Sequence, residues 1–188
     1  MAMNLLHRVR CSSSNWEKMV ADRLLPWVLA DVELGSKTLE LGPGYGATLR
    51  ALLDRTVSIT AIEVDKAMAE RLDRLYGDKA HVIHGDGTKT GLPDHSFTSV
   101  VCFTMLHHIP TTRLQDQLFE EALRLLQPGG VFAGSDGVPS TSFRLKHLGD
   151  IYNPIPPESL APRLRHVGFT DVRVQVADGR QRWSAVKR

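Results

Sequence analysis

One stretch of the sequence combines glycines and an acid in a spacing that could hold a small charged ligand. Residues 38–53 read TLELGPGYGATLRALL, in which Gly42, Gly44 and Gly46 alternate with other residues and Glu40 precedes the first glycine by two positions. An apolar run lies before the glycines and a helical pattern after them. A strand, a glycine turn and a helix bind an anion or a dipole, because the helix N-terminus offers unpaired N–H groups and glycine lets a ligand approach the backbone.

The glycines alone leave two classes of ligand open. GPGYGA also satisfies the G-x-G-x-x-G/A fingerprint of dinucleotide sites, and Glu63 stands about 20 residues on, where an acid would bind ribose hydroxyls. Glu40 favours the other class, because a carboxylate inside the first strand would repel a pyrophosphate and attract a cation. S-adenosylmethionine has an ammonium, a sulfonium and a ribose, and carries no phosphate.

A pair of histidines, in MLHHIP, is the candidate for proton transfer. An imidazole can accept a proton near neutral pH, so His107 is the best base for an acceptor that must lose one. Adjacent loop residues usually point apart, so at most one of His107 and His108 is expected to face the site. A metal role is not predicted, because no third ligand stands at a suitable sequence spacing.

The elements that must position these side chains alternate along the chain. Ser14 and Glu17 match a capping box, which opens a helix. The segments predicted as strands are then KTLEL, VSITAIEV, AHVIHG, FTSVVCFTM and GVFAGSD. The segments predicted as helices are ATLRALLD, DKAMAERLDRLY and TTRLQDQLFEEALRLL, the last of which ends at QPGG. This pattern predicts an α/β fold that is Rossmann-like and doubly wound, with helices on both faces of a mostly parallel seven-stranded sheet.

The C-terminal part departs from this alternation. Ser159 is predicted to cap a helix with Pro162 in its first turn, and Asp178-Gly179 then predicts an antiparallel hairpin at the end of the sheet. The irregular stretch 137–157 is long enough to predict a loop that covers the substrate. We predict a single domain over 1–188, with 1–31 an N-terminal arm and helix that also cover the site.

Composition excludes several classes of protein. The 188 residues carry a net charge of +2, so no strong global electrostatic field favours binding of a polyanion. The last stretch, 163–188, is more basic, since it holds seven Lys/Arg and two acids. Cys11 and Cys102 are the only cysteines and suggest no disulfide framework. The N-terminus lacks the apolar region of a secretory signal and no run is long enough to cross a bilayer, so a cytoplasmic location is expected.

Four motifs in order resemble those of the class I S-adenosylmethionine-dependent methyltransferases, over most of the chain. LELGPGYG is similar to the cofactor loop of the family, and AIEVD is similar to its ribose-binding strand end. HGDGTKTGLPDHSFTSVVCFTMLHHIP is similar to its adenine-binding acid followed by strand four, and LRLLQPGGVFAGSD is similar to its next helix and fifth strand. The terminal hairpin resembles the reversed seventh strand of that fold, which a plain dinucleotide fold lacks. The small-molecule branch that includes quinone-biosynthesis methyltransferases is the most similar. Thr98 departs from the family, which often has Asp there.

The resemblance implies a role for particular residues. Glu40 would steer the ammonium of S-adenosylmethionine, and Glu63 would accept from both ribose hydroxyls. The other cofactor contacts implied are Gly42, Gly44, Gly46, Val64, Asp86, Gly87, Phe103 and Thr104. His107 would be the catalytic base, and the acceptor pocket is expected to include Trp16, Asp136, His147 and Tyr152, with His7, Ser13, Asn15 and Phe143 in the covering segments.

The predicted function is methylation of a small aromatic or heterocyclic acceptor on oxygen, carbon or nitrogen, with S-adenosylhomocysteine as the second product. An RNA methyltransferase is an alternative that the basic tail keeps open, although CFTML stands where base-amino methylation uses N/D-P-P-Y/F/W. An NAD-dependent reductase is the other alternative. Neither a nucleic-acid partner nor a membrane span is expected, and homodimer formation through the arm or an edge strand stays open.

Overall fold

A computed structural model describes residues 11–188 of the chain. Seven strands, β1 to β7, span Lys37–Leu41, Ser58–Glu63, His81–His84, Phe97–Phe103, Leu126–Gly137, Thr170–Ala177 and Arg180–Val186. Seven α-helices, α1 to α7, span Ser14–Met19, Leu25–Val28, Ala47–Leu52, Lys66–Tyr76, Thr112–Leu125, Thr141–Lys146 and Pro157–Val167. A π-helical turn, Val20–Leu24, joins α1 to α2, and a 3₁₀ turn, Leu106–His108, follows β4. None of the helices within this range is long and apolar enough to cross a bilayer.

The strands form one sheet in the order β3-β2-β1-β4-β5-β7-β6. The first five strands of that order are parallel, and β7 runs antiparallel to both β5 and β6. The predicted fold class, a mostly parallel seven-stranded sheet that ends in an antiparallel hairpin, is therefore confirmed. The strand order reverses between β1 and β4, and in such sheets the ligand crevice lies outside the carboxyl ends of the strands at that switch point.

Both faces of the sheet are buried, because alternate residues of the central strands point to opposite sides. In β4, Val100 and Cys102 belong to one core and Val101 and Phe103 to the other. Helices α5 and α7 cover the first core, to which they contribute Leu118, Phe119, Leu160 and Leu164. The N-terminal helices, together with α3 and α4, cover the second core, to which they contribute Leu25, Leu49 and Leu72. A strand buried on both faces reads as a continuous apolar run, which is the pattern that predicted β4.

Two predicted helix starts are wrong, by one residue for α1 and by three residues for α7. The cap of α1 is Ser13 rather than Ser14, since Ser13 is extended and its Oγ accepts from the backbone N–H of Trp16. Helix α7 begins at Pro157, so Ser159 lies inside it and donates its hydroxyl to the Pro156 carbonyl. Pro162 consequently lies in the helix interior and not in the first turn.

Two other boundaries also differ from the prediction. The QPGG segment does not separate a helix from a strand, because β5 begins at Leu126 directly after α5 and includes these residues. The stretch 137–157 is not wholly irregular, because Ser140 caps the short helix α6 by accepting from the Phe143 N–H. His7 of the predicted N-terminal arm lies outside the described residues.

Gly134 in β5 is a position where the sheet leaves no room for a side chain. A Cβ there would overlap the carbonyl oxygen of Cys102 on β4 and the ring of Trp183 on β7. We expect Gly134→Ala to lower the free energy of unfolding by about 1–3 kcal/mol, the usual cost of overpacking, as measured by urea denaturation. Gly85→Ala is the control, since its Cβ would meet only Ile62 and Ile83 at 3.6 and 3.8 Å. Equal stability of the two variants would contradict the prediction.

Candidate functional site

A cavity of about 1230 Å³ lies at the carboxyl ends of the parallel strands. Its walls come from the glycine loop after β1, the ends of β2, β4 and β5, and the segment that contains α6. Twelve of the fifteen residues predicted for the site line it: Trp16, Gly42, Gly44, Glu63, Val64, Asp86, Gly87, Phe103, Thr104, His107, Asp136 and His147. The other three, Glu40, Gly46 and Tyr152, lie outside this lining.

The three glycines of the loop all have positive φ, yet they face different surroundings. A Cβ on Gly42 would overlap the Met105 side chain, whereas a Cβ on Gly44 would meet nothing within 4 Å and would project into open space. Gly46, which the resemblance implied as a cofactor contact, does not line the cavity. Its neighbours are instead the Leu72 and Tyr76 side chains of α4, so the close contact that it permits is between two helices.

Glu40 is a buried acid below the glycine loop. Its Oε1 accepts a short hydrogen bond from the Thr48 hydroxyl, and its Oε2 has no hydrogen-bond partner among residues 11–188. The pKa of Glu40 is raised to about 8, mainly by burial, while the Thr48 hydrogen bond opposes the shift and the nearby Glu63 carboxylate adds to it. A buried carboxylate that lacks a positive partner is costly, so this position favours a cationic ligand.

Glu63 and Asp86 end or follow successive strands at the same edge of the sheet. Glu63 is 5% exposed, and its two oxygens accept from the backbone N–H groups of Gly44, at 2.9 Å, and Asp65, at 3.0 Å. It therefore ties the glycine loop to the end of β2. Asp86 is exposed, and its Oδ1 accepts from the backbone and the hydroxyl of Thr88, both at 2.8 Å.

The end of β4 holds Thr104 in a strained backbone conformation. Its φ is +50°, a region that non-glycine residues seldom adopt, while its N–H donates to the Ser135 carbonyl at 2.7 Å. Strain of this kind persists where the surrounding structure enforces it, and it concentrates at ligand sites. Phe103 and Thr104 both line the cavity, as do Gly42 and Gly44 of the glycine loop.

His107 and Asp136 form a buried pair on neighbouring elements. The Nδ1 of His107 lies 2.6 Å from Oδ1 of Asp136, and the backbone N–H of His107 donates to Oδ2 at 2.8 Å. The Gly137 N–H also donates to Oδ1. A carboxylate can only accept, so Nδ1 carries the proton and Nε2 carries the lone pair. Asp136, which was predicted to contact the acceptor, is therefore engaged in orienting His107.

The segment from α6 to Tyr152 brings a third imidazole to the histidine pair. The ring centroid of His147 lies 4.7 Å from that of His107 and 5.4 Å from that of His108. One ring nitrogen of each of the three lies within 4.8 Å of the others. Two sequence arguments were therefore wrong: both adjacent histidines line the cavity, and a third potential metal ligand is present. Chain folding, rather than sequence spacing, brings it there.

Two aromatic residues predicted for the acceptor pocket have different roles. Trp16 lines the cavity, whereas Tyr152 does not. The Tyr152 hydroxyl donates to the Ser140 carbonyl and so connects the two ends of the segment 140–152. Phe143, in contact with both His107 and Tyr152, reaches the cavity instead. Ser13 is a helix cap, and Asn15 is exposed and does not line the cavity.

Sequence reasoning assigned no part of the site to the hairpin turn. Asp178, Gly179 and Arg180 line the cavity because β7 is antiparallel and returns its turn to the edge where the parallel strands end. The guanidinium of Arg180 lies 5.7 Å from the centre of the Trp16 ring. The Asp-Gly signal predicted the turn, but its place over the site depends on strand order.

Comparison with known proteins gives consistent similarities. A family model described as "Methyltransferase domain" matches residues 39–134. A "Sterol methyltransferase-like 3" of Botryococcus braunii is 29% identical over 125 residues, which are 63% of this chain and 31% of that protein. A "Probable ribosomal RNA small subunit methyltransferase A" of Pyrobaculum aerophilum is 34% identical over 86 residues, which are 41% of this chain and 38% of that protein. The chain thus spans about a third of the length of these curated relatives.

A solved structure shares the fold over nearly the whole chain. The "SAM dependent methyltransferase from Archaeoglobus fulgidus" superposes with a TM-score of 0.80 at 14% identity and covers 98% of this chain and 100% of that one. At this identity the similarity concerns the fold alone.

Proposed function

The chain belongs to the methyltransferase domain family, with S-adenosylmethionine as its cofactor, and we propose that it methylates a small aromatic or heterocyclic acceptor. The observation that carries the proposal is the position of the His107–Asp136 pair in the same cavity as the glycine loop. One end of the cavity has groups suited to a nucleoside with an ammonium, and the other end has an oriented imidazole.

The residues at the cofactor end fit the chemistry of S-adenosylmethionine. Glu40 has an oxygen without a partner in the described chain, which suits an ammonium held directly or through water. Gly44 adjoins open space, so a ligand can lie against the backbone. Glu63 and Asp86 offer acceptors to ribose hydroxyls and to an adenine amine, with Val64, which is 51% exposed, between them.

The acceptor end supports transfer to a group that must lose a proton. When bound, S-adenosylmethionine supplies a methyl carbon activated by its sulfonium and leaves as S-adenosylhomocysteine with the electron pair of the broken carbon–sulfur bond. The chain's contribution is to align the acceptor, exclude water and accept the acceptor's proton on Nε2 of His107. Asp136 keeps the ring in the tautomer whose Nε2 can accept and stabilises the imidazolium that forms.

A flat acceptor suits the walls around His107. Phe143 and Trp16 present rings to the cavity, and aromatic faces stack on planar molecules. Several cations of the basic tail, in contrast, are engaged within the chain: Arg163 with Asp116, Arg182 with Asp31 and Gln175, and Lys187 with backbone carbonyls. Cations held in this way are less available to phosphates, which favours the small-molecule proposal over RNA.

The raised pKa of Glu40 predicts that cofactor binding expels a proton. With a pKa of about 8, the carboxyl is mostly protonated at pH 6 to 7 in the ligand-free protein, and a nearby ammonium favours the ionised form. The affinity for S-adenosylhomocysteine should therefore rise with pH, by up to about tenfold per unit, until Glu40 is itself ionised in the ligand-free protein above pH 8. Calorimetry in buffers of different ionisation enthalpy measures the released proton.

The control for this prediction is Glu40→Gln, which cannot release a proton. Its affinity should not change over the same pH interval. An affinity of the unmodified protein that falls as pH rises from 6 to 7 would contradict the assignment of Glu40.

The proposed function is tested first by titration and then by turnover. Calorimetric titration of the purified chain with S-adenosylmethionine, S-adenosylhomocysteine and NAD should give binding of the first two. Incubation with methyl-labelled S-adenosylmethionine should transfer label to members of a panel of phenols, quinols and nitrogen heterocycles, and not to ribosomal RNA. Binding of NAD alone, or label in RNA alone, would overturn the proposal.

A further inference from the structure

We propose that His107, His108 and His147 form a binding site for a divalent late transition metal such as Zn²⁺, whose binding competes with proton transfer at His107. One ring nitrogen of each residue lies within 4.8 Å of the others. His107 and His108 are held by the turn after β4, and His147 directly follows α6. Three imidazoles and an open fourth position are a ligand set that Zn²⁺ uses in proteins.

The tautomers of two rings place the proton on Nδ1, which leaves Nε2 as the nitrogen that can bind a metal. Asp136 fixes the proton of His107 on Nδ1, and the Phe143 carbonyl, 2.8 Å from Nδ1 of His147, does the same for that ring. His107 is 2% exposed, yet its Nε2 has no hydrogen-bond partner in the described part of the chain. A metal ligand requires a nitrogen lone pair of this kind, and the rings of His108 and His147 lie with their centroids 4.1 and 4.7 Å from that of His107.

The surroundings suit a late transition metal better than magnesium or calcium. Imidazole nitrogen binds Zn²⁺, Co²⁺, Ni²⁺ and Cu²⁺, whereas Mg²⁺ and Ca²⁺ prefer oxygen ligands. The hydrogen bond that Nδ1 of His107 donates to Asp136 reproduces the carboxylate–histidine–metal arrangement, which orients the ring. For metal–nitrogen bonds of about 2.1 Å in a tetrahedral site, the three ring nitrogens must lie about 3.4 Å from one another. The segment that carries His147 would therefore have to move slightly towards the end of β4.

The metal site has a consequence for the reaction, because one lone pair cannot serve both a metal and a proton. With Zn²⁺ bound to Nε2, His107 could not accept the acceptor's proton, and the fourth metal position would face the cavity. This consequence depends on the proposed function, whereas the metal site itself does not.

Direct metal binding tests the proposal without cofactor or acceptor. The untagged full chain, freed of metal by a chelator, is titrated with Zn²⁺ in a calorimeter, and Co²⁺ is added to a second sample to record its visible absorption. We expect one saturable Zn²⁺ site per chain and the intense visible bands of four-coordinate Co²⁺. Asn is the matched substitution, because its side-chain N–H can replace the Nδ1 donor but it offers no equivalent of Nε2.

Each of His107→Asn, His108→Asn and His147→Asn should weaken Zn²⁺ binding by at least about tenfold and abolish the Co²⁺ bands, and Asp136→Asn should weaken binding by about 10- to 100-fold. His166→Asn, at an exposed histidine of α7, should change neither. No saturable binding, or binding that survives all three substitutions, would overturn the metal site. Either outcome would leave the methyl-transfer proposal intact, since that is tested by turnover.

Discussion

Glu63→Ala should weaken the binding of S-adenosylhomocysteine by at least about a hundredfold while the fold persists. In the proposed complex the carboxylate accepts from both ribose hydroxyls, and each hydrogen bond to a charged group contributes about 1.5–3 kcal/mol. Two such bonds correspond to at least about a hundredfold in the dissociation constant. In the ligand-free chain the same side chain accepts from Gly44 and Asp65, so the substitution also loosens the glycine loop.

The measurement is a calorimetric titration with S-adenosylhomocysteine, accompanied by a urea denaturation of each variant. Glu70→Ala is the control, because that glutamate lies one turn along α4 from Lys66, is 55% exposed at its side chain and does not line the cavity. Glu63→Gln retains one acceptor oxygen without charge and should fall between the two. A dissociation constant for Glu63→Ala within about threefold of the unmodified protein would remove Glu63 from the cofactor site.

The parts of the fold that hydrophobic period determines were predictable. Strand β4 is a continuous apolar run and α5 repeats Leu118, Ala122 and Leu125 along one face, so type and location follow from the sequence. The ends of elements were less predictable, since they depend on single caps. Ser14, with Glu17 three residues on, is the better cap in sequence, and only the chain's approach to the helix decides that Ser13 is used.

The candidate site also contains residues that could be predicted from the sequence and residues that could not. Glu63 and Thr104 were predicted from the resemblance to the methyltransferases, and the parallel sheet brings the strand ends that carry them to the same edge. The residues of the hairpin turn that line the cavity could not be assigned, because no short-range pattern states which edge a loop covers. His147 was assigned to the acceptor pocket, but its contact with His107 could not be predicted, since it depends on how the segment after β5 folds back.

Glu40 shows what the sequence can and cannot supply about charge. An acid in a buried strand pattern predicts a cationic ligand, and that reasoning needs no structure. The structure adds the Thr48 hydroxyl, which occupies one carboxylate oxygen and leaves the other available, and the proximity of Glu63, which makes ionisation harder still. The proton linked to cofactor binding follows from these neighbours and not from Glu40 alone.

His107→Asn should reduce kcat by about 10²- to 10⁴-fold for acceptors that must lose a proton, the usual contribution of a positioned general base. The side-chain N–H of the introduced asparagine can still donate to Asp136, so the buried carboxylate keeps a partner and the fold should be preserved. His107 is not among the proposed cofactor contacts, and the affinity for S-adenosylhomocysteine should stay within about threefold. Kinetics with acceptors found in the screen measure both quantities.

A pair of phenols that differ in acidity distinguishes proton transfer from acceptor binding. A phenol that is already ionised at the assay pH needs no base, so it should lose little rate in His107→Asn, whereas an un-ionised phenol of similar shape should lose the full factor. Asp136→Asn should slow the un-ionised phenol as well, because an amide at that position can hold the ring in the wrong tautomer. Equal losses for both phenols would mean that His107 positions the acceptor and that another group takes the proton.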